Sequence, residues 1–146
     1  MSRENRLKPI QQLAEQEATA RSREVSDRLF HLRTEEQRLE QLQAYLQEYA
    51  ALADEGEYTV INVTTIQSRQ SFYRRLTECV AHQQALVDAM CTQLELYLDQ
   101  WNDARTRSMA YQKYADRVQQ EIDDKTARRD QAMLDEAGQQ QFLRQS

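Results

Sequence analysis

The stretch that decides the fold runs from Ile66 to Ala132: IQSRQSFYRRLTECVAHQQALVDAMCTQLELYLDQWNDARTRSMAYQKYADRVQQEIDDKTARRDQA. Steps of three and four pick out Ile66, Arg69, Tyr73, Leu76, Val80, Gln83, Val87, Met90 and Leu94. They continue through Tyr97, Trp101, Ala104, Ser108, Tyr111, Ala115, Val118, Ile122, Lys125, Arg129 and Ala132. Most of these are apolar, and neither Gly nor Pro interrupts the run. A seven-residue repeat held this long is the signature of a supercoiled helix with an a/d seam. It predicts a helix of roughly 70 residues, on the order of 100 Å long at 1.5 Å per residue.

The rest of the chain reads as partner, turn or tail for that helix. The 146 residues hold two Gly, one Pro and 29% charged side chains, which leaves little material for turns or a compact core. With a mean hydropathy of -0.91, the chain buries apolar surface along a stripe and not in a ball. The sustained heptads and a 40% hydrophobic content argue against disorder except at the ends.

Upstream, Pro9 is easiest to place in the first turn of a helix starting near Lys8. Leu7, Ile10, Ala14, Ala18, Val25, Leu29, Leu32, Leu39, Leu42, Leu46, Tyr49 and Ala53 then form a less regular seam, with Glu36 a polar defect in it. The small Ala14 and Ala18 imply a close helix approach or a third partner there. Gly56 suits the position just past a helix C-terminus. Tyr58-Thr59-Val60-Ile61 is β-branched and poorly suited to a helix, and Thr64-Thr65-Ile66-Gln67 has the form of a capping box, with Asn62 an alternative cap.

The expected architecture is all-α: an antiparallel two-stranded coiled-coil hairpin forming a single domain over residues 1–146. Its helices span about 8–54 and about 65–137, with a loop over about 55–64 and a flexible tail over 138–146 from Gly138. A turn centred near Tyr58 or Thr59 sets residue i of the first helix opposite roughly residue 117 minus i. The second helix then overhangs beyond about Lys113, leaving Val118, Ile122 and Ala132 without a neighbour. An unpaired seam of about 20 residues needs a partner or stays soft.

Several functions are excluded. A net charge of -5 and an isoelectric point near 5.1 disfavour nucleic acid, which calls for a basic face. No apolar run approaches the ~20 residues that span a bilayer, and the first residues lack the apolar core of a signal peptide, so a cytosolic protein is expected. Cys79 and Cys91 lie about 18 Å apart along one helix, too far for a disulfide, and neither has metal-ligand spacing around it. With no phosphate loop, no HExxH, no nucleophile elbow and no pocket in a two-helix rod, the chain reads as no enzyme, with no catalytic residue, metal or cofactor.

Two surplus features point to partners. Phe72 and Cys79 flank the seam residues Tyr73, Leu76 and Val80, and Tyr45 stands beside Leu42, Leu46 and Tyr49. A two-stranded seam buries one narrow stripe, so Phe72 and Tyr45 are expected to stay largely exposed as a docking patch. Charge also divides the chain. Glu35, Glu36, Glu40, Glu48, Asp54, Glu55 and Glu57 face Arg38 alone near the hairpin, whereas Arg117, Lys125, Arg128 and Arg129 mix with acids at the far end.

The chain resembles the FliJ family of flagellar type III export proteins over nearly its whole length. The resemblance rests on Leu13-Ala14-Glu15-Gln16-Glu17, on Leu39-x-x-Leu42-x-x-Tyr45-x-x-Glu48-Tyr49, on Phe72-x-x-x-Leu76, on Trp101, and on Asp130-Gln131-x-x-x-Asp135-Glu136. It implies a stalk-like coiled coil that binds the hexameric flagellar export ATPase and promotes assembly of its ring. It also implies contact with the cytoplasmic linker of the export gate membrane protein, handling of export chaperones, and a place at the membrane-embedded export apparatus. The gate patch corresponds to Leu42, Tyr45, Tyr49, Phe72, Leu76 and Cys79, and the ATPase contact falls to Leu13, Glu17, Val118, Ile122, Arg129 and Asp135. An injectisome stalk of the same superfamily, an export chaperone and a self-associating structural coiled coil remain alternative readings.

Overall fold

The computed structural model describes residues 3–55 and 63–145, the side chains of residues 53–55 excepted. They form two helices, α1 (Arg3–Glu55) and α2 (Val63–Gln145), and among the described residues there is no strand. The helices pack antiparallel as an all-α hairpin in which α2, of 83 residues, outruns α1, of 53. Good helix formers carry both, and the β-branched threonines are accommodated locally. The hydroxyls of Thr19, Thr34, Thr77 and Thr92 each donate to the carbonyl four residues back, at 2.9–3.1 Å.

The helix ends differ from those the sequence suggests. Helix α1 already begins at Arg3, so Pro9 lies inside it and not in its first turn. The proline leaves the Asn5 carbonyl without its usual donor, and Asn5 is exposed, so water can take that place. Helix α2 begins at Val63, which makes Thr64 a helical residue and not a cap; Asn62, Gly56 and the Tyr58–Ile61 run lie outside the described residues. At the other end α2 continues through Gly138 to Gln145. Gly138 has no positive φ, so it does not act there as a left-handed cap.

Packing divides the chain into two compact units, one joining the residues up to Ala20 with those from Asn102 onward, the other spanning Arg21–Trp101. In the second unit Leu32, Leu39 and Val87 form a buried cluster, and Val80, Met90, Cys91 and Leu94 pack against it. Cys91 therefore serves partly as core, while Cys79 is exposed, and both are free thiols. A polar layer interrupts this seam. The amide of Gln83 donates to the Glu35 carbonyl at 3.0 Å and to its carboxylate at 2.6 Å, and Arg38 pairs with the same carboxylate at 2.8 Å. Glu35, 17% exposed, is thus the polar member of the seam, and Glu36, expected in that role, faces solvent. On the flank, Arg28 donates to the Tyr97 hydroxyl at 2.9 Å while its guanidinium sits 4.7 Å from that ring's centre.

In the first unit the buried residues are Ala14, Ala104 and Val118. Of the two small residues singled out on α1, Ala14 is buried in this unit and Ala18 half-buried. Ordered pairs set its register: Arg3 with Glu121, Gln11 with Gln112, and Glu17 with Arg107. The numbers of these pairs add to 123 or 124, several residues beyond the expected 117. With that register and the early start of α1, the seam is covered well past Lys113. Val118, expected to lack a neighbour, is only 5% exposed.

Candidate partner-binding surfaces

The expected docking patch lies in the unit Arg21–Trp101. Tyr45 is 57% and Phe72 42% exposed, Cys79 is exposed, Leu42 and Tyr49 are half-buried, and Leu76 is buried. Five of the six side chains therefore reach the surface to some degree, whereas Leu76 is part of the buried seam. Phe72 is not free-standing: its ring lies 4.9 Å from that of Tyr49, tilted by 53°. Tyr49 also stacks on Tyr73 at 6.4 Å and donates its hydroxyl to the Arg69 carbonyl at 3.3 Å. Leu42 and Tyr45 line a shallow groove of about 310 Å³ with Arg38, Gln41 and Gln83.

The seam opens at this level. Ile66, Arg69 and Tyr73, which continue the heptad arithmetically, are all exposed. Arg69 carried the warning, since a guanidinium at a seam position resists burial without a paired acid. Together with Tyr49, Tyr73, Arg74, Thr77 and Glu78, it lines a surface groove of about 700 Å³ that the sequence reading did not anticipate.

The residues assigned to the ATPase are more dispersed. Leu13, 65% exposed, and Glu17, paired with Arg107 at 3.4 Å, lie on α1. Ile122 is 37% exposed, and Arg129 and Asp135 are exposed on the part of α2 past the last buried residue. Asp135 lies about 20 Å along the helix from Ile122. Val118, being buried, presents no surface to a partner. The structure thus does not gather this set into one site.

From Gln119 to Gln145 every residue of α2 is exposed. This segment supports itself with side-chain bonds from Gln to the Asp four residues on. Gln119 to Asp123, Gln120 to Asp124 and Gln131 to Asp135 measure 3.0–3.2 Å. Each such pair is worth about 0.2–0.5 kcal/mol in an otherwise unsupported helix. Farther along, Leu134, Gly138, Phe142 and Leu143 line a groove of about 620 Å³.

Among the described residues, no group of three or more His, Cys, Asp or Glu is placed to hold a metal ion. No described helix is long and apolar enough to cross a membrane. What these features define is an all-α coiled-coil hairpin whose surplus apolar side chains lie on open helix faces. The family model for the flagellar FliJ protein matches residues 2–146. The chain belongs to the FliJ family, whose members are non-catalytic components of the flagellar export apparatus. Nothing among the curated proteins or the solved structures matches it.

Proposed function

We infer that this chain acts as a stalk and adaptor in flagellar protein export, binding the hexameric export ATPase, promoting assembly of its ring and linking it to the export gate. One observation carries the reading: α2 continues as an exposed helix past Val118, with Ile122, Met133, Leu134 and Phe142 uncovered. Large apolar side chains held on an ordered helix with no covering neighbour in its unit are what a protein partner would bury. On this reading Ile122, Arg129 and Asp135 face the ATPase, with Leu13 and Glu17 contributing from α1. Val118 serves only to hold the helices together.

The gate linker docks on Tyr45, Tyr49, Phe72, Leu42 and Cys79, with Leu76 in the buried seam, and export chaperones are handled by the same protein. The protein works in the cytoplasm, peripherally at the membrane-embedded apparatus. Coupling is by binding energy, with no chemistry in this chain. The test is ATP hydrolysis by the cognate export ATPase with and without the full chain. Stimulation is expected, and an Ile122→Glu/Arg129→Glu variant of unchanged helicity should lose most of it. Absence of both stimulation and a complex with the intact chain refutes the reading. Stoichiometric binding of unfolded export subunits without effect on the ATPase would point instead to an export chaperone.

A further inference from the structure

We propose that the groove beside Tyr73 is a second docking surface, on a face adjoining the Phe72–Tyr45 patch, that takes an acidic peptide segment carrying an apolar anchor. Its floor is the stacked ring pair Tyr49–Tyr73, with Tyr73 44% exposed. Arg69 and Arg74 stand along its rim with Thr77 and Glu78. Among the described residues neither guanidinium has an ion-pair or hydrogen-bond partner, whereas Arg3, Arg21, Arg28 and Arg107 each bond to a side chain of the other helix. From residue 63 to 78 the bases Arg69, Arg74 and Arg75 meet Glu78 alone, in a chain whose net charge is -5.

This combination selects its occupant. An exposed arginine pair beside aromatic faces suits carboxylates flanking a Leu or Phe, because Arg pairs with carboxylate through a planar fork while the rings cover the anchor. A nucleic acid, as an extended polyanion, would run past the arginine rim onto the acidic stretch of α1, whereas a short acidic segment can end at Arg69 and Arg74. Only Tyr49 is shared with the patch assigned to the gate. The groove therefore does not depend on that assignment, and substitutions at Arg69 and Arg74 leave Tyr45, Phe72 and Cys79 in place.

The experiment is fluorescence anisotropy with the full chain and the labelled peptide Glu-Asp-Leu-Glu-Glu-Phe-Leu-Asp-Glu-Leu, beside a control in which every acid is Lys. The acidic peptide should bind and the Lys control should not. Arg69→Gln/Arg74→Gln, both at exposed positions, should keep wild-type helicity and weaken binding about tenfold. Raising the salt from about 50 to about 300 mM should weaken wild-type binding as well, because exposed charges are screened. The proposal is overturned if wild type fails to bind at about 100 μM, a weak affinity by any standard. Equal binding of the Lys peptide, or an unaffected double variant, overturns it too. So does sedimentation showing a wild-type dimer that the double variant loses, since the groove would then be filled by the acidic α1 of a second copy.

Discussion

Phe72 and Tyr45 were expected together as exposed aromatics, yet the structure gives them different surroundings, and that difference is measurable. Phe72 has somewhat over half its surface covered and packs at 4.9 Å on Tyr49, whereas Tyr45 is 57% exposed. Among the described residues Tyr45 has no ring partner. A fully buried Phe→Ala change costs about 3–5 kcal/mol, and a ring pair adds about 0.5–1.5 kcal/mol beyond area. Scaled to its partial burial, Phe72→Ala should cost about 2–3 kcal/mol. Tyr45→Ala, which opens no enclosed cavity, should cost about 1 kcal/mol. The gap corresponds to a few degrees in Tm for a chain of this size. Urea and thermal unfolding followed by far-ultraviolet circular dichroism would measure it. In parallel, titration with the export gate linker should show both variants binding about tenfold more weakly. The two readouts separate packing from docking: Tyr45→Ala should lose affinity with little loss of stability. If Tyr45→Ala unfolds as readily as Phe72→Ala, its ring is cover for the seam and the surface reading of Tyr45 fails.

Other perturbations test the packing. Val118→Asp places a carboxylate at a 5%-exposed position and should destabilise the unit around it by about 3 kcal/mol; amide exchange near Leu7, Gln11 and Ala115 unchanged from wild type would contradict the revised register. Gly138→Ala should raise helicity and stabilise α2 by about 0.5–1 kcal/mol, since a Cβ there meets open space; a loss of helix content would restore Gly138 as a helix stop. A double-mutant cycle of Glu35→Ala with Gln83→Ala should give a coupling energy of about 1–2 kcal/mol, from the hydrogen bond of the Gln83 amide to a carboxylate only 17% exposed; the bond to the Glu35 carbonyl survives Glu35→Ala and does not enter. Strict additivity would reduce this polar layer to a surface contact.

The heptad from Leu76 to Val118 was legible because burial in a two-helix seam depends on spacing alone, and every third and fourth residue there is buried or half-buried. The ends were less legible for a physical reason. Whether a helix continues through Pro9 or Gly138 turns on a cost of a few kcal/mol at most, which flanking helix formers can offset. The register departs from a sum of 117 in the unit around Ala14, where pairs such as Glu17–Arg107 set it, while Glu35–Gln83 in the other unit stays within one residue of it; spacing alone carries no such pairing. Glu35 and Glu36 could not be ranked from spacing, since neighbouring positions on a helix edge differ only by which one reaches Gln83. The groove at Tyr73 was hidden by the heptad itself, which counted Arg69 and Tyr73 as seam and so as covered.

The uncovered end of α2 constrains its partner more than simple exposure suggests. Carried forward from Val118 and Ile122, the seam frame falls on Lys125, Arg129 and Ala132. A helix continuing the coiled coil would therefore face two cations where it needs apolar knobs. Of the large apolar residues farther along, Leu134 and Phe142 lie off that frame, whereas Leu143 returns to it. Leu134 is nine positions from Lys125, about 180° around the helix at 100° per residue, and Gly138 and Phe142 follow it on the same side. One exposed helix thus offers a charged face, on which Lys125 and Arg129 stand with Glu136, and, roughly opposite, an apolar one on which Leu134 leads into Gly138 and Phe142. A single flat partner can satisfy only one of them. On the stalk reading, a partner that surrounds the helix, bringing polar groups to the charged side and apolar side chains to the other, satisfies both, as a simple extension of the hairpin seam would not.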